Sequence, residues 1–455
     1  MNTLLHIMKR LAQILAALLL LLLLTLPPML SQAAKLANQA LLDALRQVPG
    51  VTATLVSEHQ NYFTSDANWK LRWEQTEMAT QPFETALELQ LQHGPAIMSP
   101  RFHFGWAHFR LVATPDRQSG WQQVMSQESA GPLYILEGDV TLLGAIKISD
   151  QLAAFKWQHG ETNLQLSSAQ GKGLINPFQR ELSYATFFSQ VGFENATWRL
   201  AASNATVNKQ LQWKTSGLSL SNQVSFDRLS EDKTANLLIT KGKLQFTLEP
   251  EAAIQTQTLT LNFTAEALNT GSWLLQNPAT QIALNQVPNA FIEQLFALSQ
   301  STMPAEQYPQ AIVDICKAQL LPKQPQLSLA FASDAEGAKL VELKAVASLP
   351  EPKALDWQQL QSSPTSLIPQ LNLTSSLSAE KTLVQRLATE LGSKNITASN
   401  NRAMAEQLVK SQTLMMTNVF LGQGLIKEEA GHYKTQITLD KGLLTLNNKP
   451  FVLPF

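Results

Sequence analysis

The sequence predicts an α+β fold that is predominantly antiparallel β, an elongated curved meander sheet with helices near the N-terminus and in the C-terminal third. Three observations predict it. Apolar and polar residues alternate along many short segments, as in Leu87, Leu89 and Leu91 against Glu88, Gln90 and Gln92, which marks a half-buried antiparallel strand. The segments end in Gly, Asn and Asp clusters such as Gln158-His159-Gly160 and Lys241-Gly242, the punctuation of a hairpin meander. Only 15% of the 455 residues are charged while 44% are apolar, against about 25% charged in ordinary globular domains. Gln, Ser, Thr and Asn supply the polar surface instead, which excludes disorder and suits β-structure in an extracytoplasmic space.

The chain opens on Lys9 and Arg10, followed by an apolar run from Leu11 to Leu26 that only Gln13 and Thr25 interrupt. Pro27 and Pro28 end the run because neither donates a backbone hydrogen bond. Ser31-Gln32-Ala33 is a small-x-small sequence with cleavage expected after Ala33. Residues 1–33 are therefore an export signal peptide or, uncleaved, an N-terminal membrane anchor. A helix over 11–26 reaches about 24 Å, short of a hydrocarbon core of about 30 Å, and this favours cleavage. Losing Lys9 and Arg10 takes the net charge from −1 to −3. No basic stripe exists, so no nucleic-acid partner is expected.

Residues 34–48 read as an amphipathic helix on Leu36, Ala40, Leu41, Ala44, Leu45 and Val48, stopped by Pro49-Gly50. If the leader is retained, this helix leads from the membrane surface into the body. From Val51 the period becomes two, and strands are expected over 51–57, 68–74, 84–92 and 101–112. The same grammar continues with 134–148, 153–159, 162–167, 197–207, 211–213, 217–221, 237–240, 243–249 and 257–267. Helices follow over 288–300 and 304–320, each opening on a proline where its missing N–H costs nothing. Strands at 326–332 and 339–348 precede a polar, proline-punctuated stretch at 350–369, read as a connecting loop or a short helix, then a strand at 371–376 and a helix at 379–391. A helix over 400–420 and a hairpin of 432–439 with 443–446 around Asp440-Lys441-Gly442 close the chain. The β-rich region thus spans 34–285 and the mixed helix and strand region 286–455, either as two regions or as one continuous domain.

Candidate chemistry is sparse. His59, His93, His103 and His108 fall close together, but a strand places His103 and His108, five residues apart, on opposite faces. No Cys or His-x-x-x-His spacing supports a metal, and His93 reads as a turn residue bonded to nearby backbone. Residues 101–110 interleave Phe102, Phe104, Trp106 and Phe109 with these histidines, as a core strand or as a membrane- or ligand-facing one. Gly171-Lys172-Gly173 and Gly422-Gln423-Gly424 read as turns. Cys316 stands alone, so no internal disulfide forms, and its apolar helical setting predicts burial. No nucleophile elbow, phosphate loop or dinucleotide fingerprint occurs. No catalytic, cofactor-binding or metal-ligating residue is assigned, and no cofactor is expected.

Three stretches resemble the YdgA-like (YdgA/YihF) bacterial envelope proteins, a domain of unknown function. They are Asn61-Tyr62-Phe63-Thr64-Ser65 after the leader and first strand, Leu89-Gln90-Leu91-Gln92-His93-Gly94-Pro95, and the C-terminal block containing Gly442-Leu443-Leu444-Thr445-Leu446-Asn447. The chain departs where Asn61-Tyr62 replaces Arg-Gly and where Asn447-Asn448 replaces Asn-Gly, although Asn tolerates positive φ. The resemblance implies a Gram-negative envelope protein, periplasmic and soluble or held at the inner membrane by its N-terminal segment, and because members typically keep the leader as an anchor it favours retention where the short apolar run favours cleavage. It supplies no activity. The function expected is non-enzymatic, with a curved sheet binding lipid or another apolar ligand, or with the protein serving as an envelope interaction scaffold. A periplasmic hydrolase with an unrecognised site is the remaining alternative.

Overall fold

The computed structural model describes Gln32, Lys35, Leu36, Gln39, Leu42, Asp43 and Leu45, and then 50–451 without 75–78, 95, 99–101, 128–130, 215, 235, 252–255, 271–273, 300–302, 336–337, 350–369 and 386–401. The expected leader and the 350–369 connection lie outside the described residues. Strands dominate the rest and pair antiparallel throughout the meander, as the sequence predicted. Two compact units divide the chain: Met1–Gln212 with Phe226–Ala235, and Trp213–Ser225 with Asn236–Phe455.

The first unit contains β1 (Val51–Gln60), β2 (Thr64–Trp73), β3 (Phe83–His93), β4 (Ala96–Ile97), β5 (His103–Pro115), β6 (Met125–Gln127) and β7 (Tyr134–Thr141). It continues with β8 (Ile146–Leu152), β9 (Phe155–His159), β10 (Thr162–Leu166), β11 (Ala169–Asn176), β12 (Glu181–Glu194) and β13 (Arg199–Lys214). The main series pairs β1–β2–β3–β5–β7–β8–β11–β12–β13. A side branch of β6, β9 and β10 ends on β12.

The N-terminal residues described are helical from Gln32 to Leu45. Leu42 and Leu45 pack on the buried cluster of Ala67, Trp69 and Leu87. Removing that apolar area from water, at about 25 cal/mol per Å², is what holds a polar-faced helix to a sheet. Farther along β3, Phe83 packs edge-on to Trp121 at 4.8 Å between centroids, and Trp121 Nε1 donates to Thr85 Oγ1 at 3.1 Å.

After β14 (Gly217–Glu231), the second unit carries β15 (Leu237–Pro250), β16 (Thr256–Thr264), β17 (Ala267–Asn269), β18 (Leu274–Pro288), β19 (Gln326–Ala335) and β20 (Ala338–Ser348). β21 (Asn372–Glu380), β22 (Lys427–Glu429), β23 (His432–Asp440), β24 (Leu443–Leu446) and β25 (Lys449–Pro450) complete it. Its series is β15–β16–β18–β19–β20–β21–β23–β24. Helices lie at Asn289–Ser299, Tyr308–Ile315 and Arg402–Gln423. The terminal hairpin turns through Lys441 and Gly442 at φ 48° and 80°, and the next turn takes Asn447 and Asn448 to φ 49° and 65°. Asn in place of Gly is thus accommodated in the left-handed region.

Several expectations are corrected. Residues 134–148 form two strands, because Gly144 at φ 75° and the Thr141 Oγ1 bond to the Ala145 amide turn the chain inside an apolar run that hid the hairpin. The strands expected over 197–207 and 211–213 are one, Arg199–Lys214. Those over 237–240 and 243–249 are likewise one, passing through Lys241 at φ 47° without breaking. Gly171-Lys172-Gly173 is no turn but the middle of β11. Residues 379–380 finish β21 before a helical turn at 381–385, and the remainder of the helix expected there lies outside the described residues.

Gly138 in β7 pairs with Phe109 in β5, and a Cβ on Gly138 would overlap the Phe109 ring. Gly138→Ala is therefore expected to cost about 1–3 kcal/mol by overpacking. Combined with Phe109→Leu it should cost less than the two single variants together, as read by urea denaturation. Strict additivity would show that the glycine does not seat the ring.

Candidate functional site

Antiparallel register fixes which side chains share a face. In the first unit one face is built from rows that cross the strands: Leu87–Ala113–Tyr134–Leu152–Ala169–Phe188–Ala205 and Ala67–Leu89–Leu111–Leu136–Asp150–Gly171–Thr186–Val207. The opposite face carries Lys70 with Glu84 at 2.7 Å and Arg110 with Glu137 at 3.1 Å. One face is apolar and the other solvated, as strand alternation requires.

A buried carboxylate interrupts the apolar face. Asp150 is buried and accepts a hydrogen bond from the Tyr184 hydroxyl at 2.6 Å. Burial first, and then the negative charge of Asp150 and the neighbouring Tyr184, push the Tyr134 phenol far above its usual range. Burial and the bond to Asp150 also raise Tyr184, with Thr186 opposing. The carboxylate fits because β11 has no side chain opposite it. A Cβ on Gly171 would overlap both the Asp150 carboxylate and the Tyr184 hydroxyl. Gly171 read as a turn signal in the sequence; its role is space.

The second unit repeats the two-faced pattern. Its rows are Leu244–Phe263–Thr280–Phe331–Leu343–Leu377–Thr435, Phe246–Leu261–Ile282–Leu329–Ala345–Ser375–Ile437–Leu446, and Leu248–Leu259–Leu284–Leu327–Ala347–Leu373–Leu439–Leu444. Leu248, Ser375 and Leu439 are buried, whereas Leu244, Ile282 and Leu327 are exposed and the remaining members of these rows are half-buried. Strand spacing of about 4.8 Å makes seven strands about 29 Å across. The other face presents Gln245, Asn262, Gln281 and Lys344.

The histidines fall elsewhere. His103 and His108 do not lie on opposite faces: His108 Nδ1 donates to Asp139 Oδ1 at 2.8 Å, and His103 Nε2 lies 3.1 Å from the same oxygen. A bulge in β5 between Gly105 and Ala107 inserts Trp106 and reverses the alternation. Among the described residues no group of three or more His, Cys, Asp or Glu side chains is disposed to hold a metal ion. His93 is the last residue of β3 and not a turn residue. It is buried, with Nε2 3.3 Å from Ser65 Oγ, and desolvation lowers its pKa, partly offset by the Thr64 backbone. His59 is exposed on β1.

Of the aromatic stretch, Arg101 lies outside the described residues, Phe102 and Phe104 are exposed, and Trp106 and Phe109 are half-buried. Cys316 is only half-buried, because it sits in a π-helical turn at Cys316–Leu320 and not on a packed α-helical face. Partial burial still raises its thiol pKa. Gly422 belongs to the Arg402–Gln423 helix, and Gly424 ends it at φ 68°. The second unit's apolar rows were not legible as a site, since each row draws one residue from each of many distant segments.

A phenol whose folded pKa is raised supports the fold below its unfolded value of about 10, and that support is lost as pH rises through the folded value. Tyr134 and Tyr184 should therefore be the last of the five tyrosines to ionise in the native protein, with stability falling above pH ~10. Asp150→Asn should move both to lower pH in a tyrosinate-absorbance titration. Five indistinguishable tyrosines would refute the buried cluster.

Among the described residues no helix is long and apolar enough to cross a membrane. Comparison with curated proteins and with solved structures finds no match. A model of a bacterial protein family of unknown function, DUF945, matches residues 8–454, nearly the whole length, and the chain belongs to that family.

Proposed function

We propose that this is an exported, non-enzymatic envelope protein that holds the acyl chains of lipids on the apolar face of its sheet. The observation that carries the reading is the second unit's set of adjoining apolar rows, with Leu244, Ile282 and Leu327 left exposed. Soluble monomers rarely leave large apolar patches open without a use for them. The rows are made mainly of Leu, Ile, Phe and Ala, so a ligand lying there needs few hydrogen-bonding groups, and an acyl chain meets that requirement.

Export is supported by the leader's own pattern: two cations, an apolar run, two prolines and a small-x-small sequence. A charge-poor body with a lone cysteine agrees with it. The likeness to YdgA-like envelope proteins points to the periplasm, free or held at the inner membrane by the N-terminal segment. The rival reading is an envelope scaffold that covers the same face with another protein.

The experiment is mass spectrometry of lipid extracted from the purified full chain. Phospholipid is expected to accompany the wild type. Ile282→Glu and Leu327→Glu should reduce bound lipid about tenfold, because a charge in an acyl-chain contact must be desolvated. Val346→Glu, an exposed position on the opposite face of β20, should leave it unchanged. A lipid-free wild type, or equal loss in all three variants, would sink the proposal, and crosslinking of the Ile282 face to another protein would favour the scaffold.

A further inference from the structure

In the first unit four connections fall at one end of the strand series, because alternate connections in an antiparallel meander lie on the same side. They join β1 to β2, β3 to β5, β7 to β8 and β11 to β12. Each presents large apolar side chains to solvent: Phe63 in the first, Met98, Phe102 and Phe104 around the second, Leu143 in the third, Phe178 in the fourth. Met98 is 76% exposed, and Leu143 and Phe178 are each 81% exposed, which no packing role requires.

The tips adjoin one another. The Phe102 and Phe104 rings are 5.2 Å apart. Trp106 Nε1 donates to the Leu142 carbonyl at 2.9 Å, tying the second tip to the third. A Cβ on Gly144 would stand 3.3 Å from the Phe178 ring, so the third tip touches the fourth.

The N-terminal helix supplies a second, independent observation. Gly50 lies against Trp73, at the end of β2 away from these tips. Farther back along the chain, Leu42 and Leu45 pack on Ala67, Trp69 and Leu87. Gln39 and Asp43 line a cleft with Leu55 and Glu58, farther along β1. Towards its N-terminus the helix therefore advances alongside β1 to the β1–β2 turn. Gln32 and Leu45, both helical, are thirteen residues apart, about 20 Å at the helical rise, and the length of β1 is about 33 Å. Gln32, the first described residue, therefore lies towards the end that carries the exposed tips.

We propose that this end of the first unit is a membrane-docking rim, whose loop tips insert into the interfacial layer of a phospholipid bilayer on the side from which the leader arrives. Aromatic side chains favour that layer, and a bilayer accepts separate apolar tips without the shape match that a protein partner demands. With the leader retained, the rim adds a second membrane contact beside it; with the leader cleaved after Ala33, the several tips together supply the contact. The inference rests on the export and lipid reading above for its compartment.

The test uses the full chain in a Cys316→Ser background with one cysteine at a time, Leu143→Cys, Phe178→Cys or Glu161→Cys, carrying a polarity-sensitive fluorophore. Glu161 is exposed in the β9–β10 turn at the opposite end, since Asn163 pairs with Glu194 at the far end of β12. In vesicles of phosphatidylethanolamine and phosphatidylglycerol, brominated acyl chains should quench most of the emission at 143 and 178 and leave 161 unchanged. Unquenched labels at 143 and 178, equal quenching at all three sites, or shielding that appears only as protein concentration rises (a second copy) would each overturn the rim. Bound lipid on Leu143→Asp with Phe178→Asp should stay at the wild-type level, because the acyl-chain face lies on the second unit. Labels at 143 and 178 that stay unquenched on a chain that still carries bound lipid sink the rim alone, and quenched labels on a lipid-free chain sink the acyl-chain face alone.

Discussion

The two-residue period of the strands, locked by antiparallel hydrogen bonding, is the constraint on which everything else depends. Because opposite partners share a face, a row that begins at Leu244 continues through Phe263, Phe331, Leu343 and Leu377 with no residue free to change sides. A slip of one residue in any strand would exchange the Leu and Phe face for the Gln, Asn and Lys face. Register is therefore held by the difference in solvation between the faces as much as by the ladder itself.

Local departures from that period are where the molecule acquires particular geometry. The bulge at Gly105–Ala107 turns His103 and His108 onto one carboxylate. Gly138 and Gly171 remove side chains from the apolar face, one to seat the Phe109 ring and one to admit Asp150 with Tyr184. A carboxylate among leucines costs little once phenol hydroxyls bond it. The tyrosines bear the consequence, in phenols that hold their protons.

The units differ in how their apolar faces are treated. In the first, the N-terminal helix lays Leu42 and Leu45 over Trp69 and Leu87. In the second, Ile282 and Leu327 stay open to solvent. Apolar surface without cover is unfavourable in water, and the acyl chain we propose there would relieve it without needing hydrogen-bond partners. The tips at Leu143 and Phe178 raise the same question for the ends of the strands, and the proposed docking to a bilayer would answer it in the same way.

The sequence by itself determined the strand-dominated antiparallel class, the helices near 289–299, 308–315 and 402–423, and the hairpin at 432–446, because period and turn chemistry are local properties. It could not separate the hairpin inside 134–148, where an apolar run is continuous across the turn, nor distinguish a glycine that bends the chain from Gly171, which makes room. Tertiary structure alone decided which leucines adjoin, that a bulge brings two histidines to Asp139, and that Met98, Leu143 and Phe178 lie at one end of the strand series. Each of these depends on pairing between residues distant in the chain, and pairing is set by the registers of whole strands, not by any residue's neighbours in sequence.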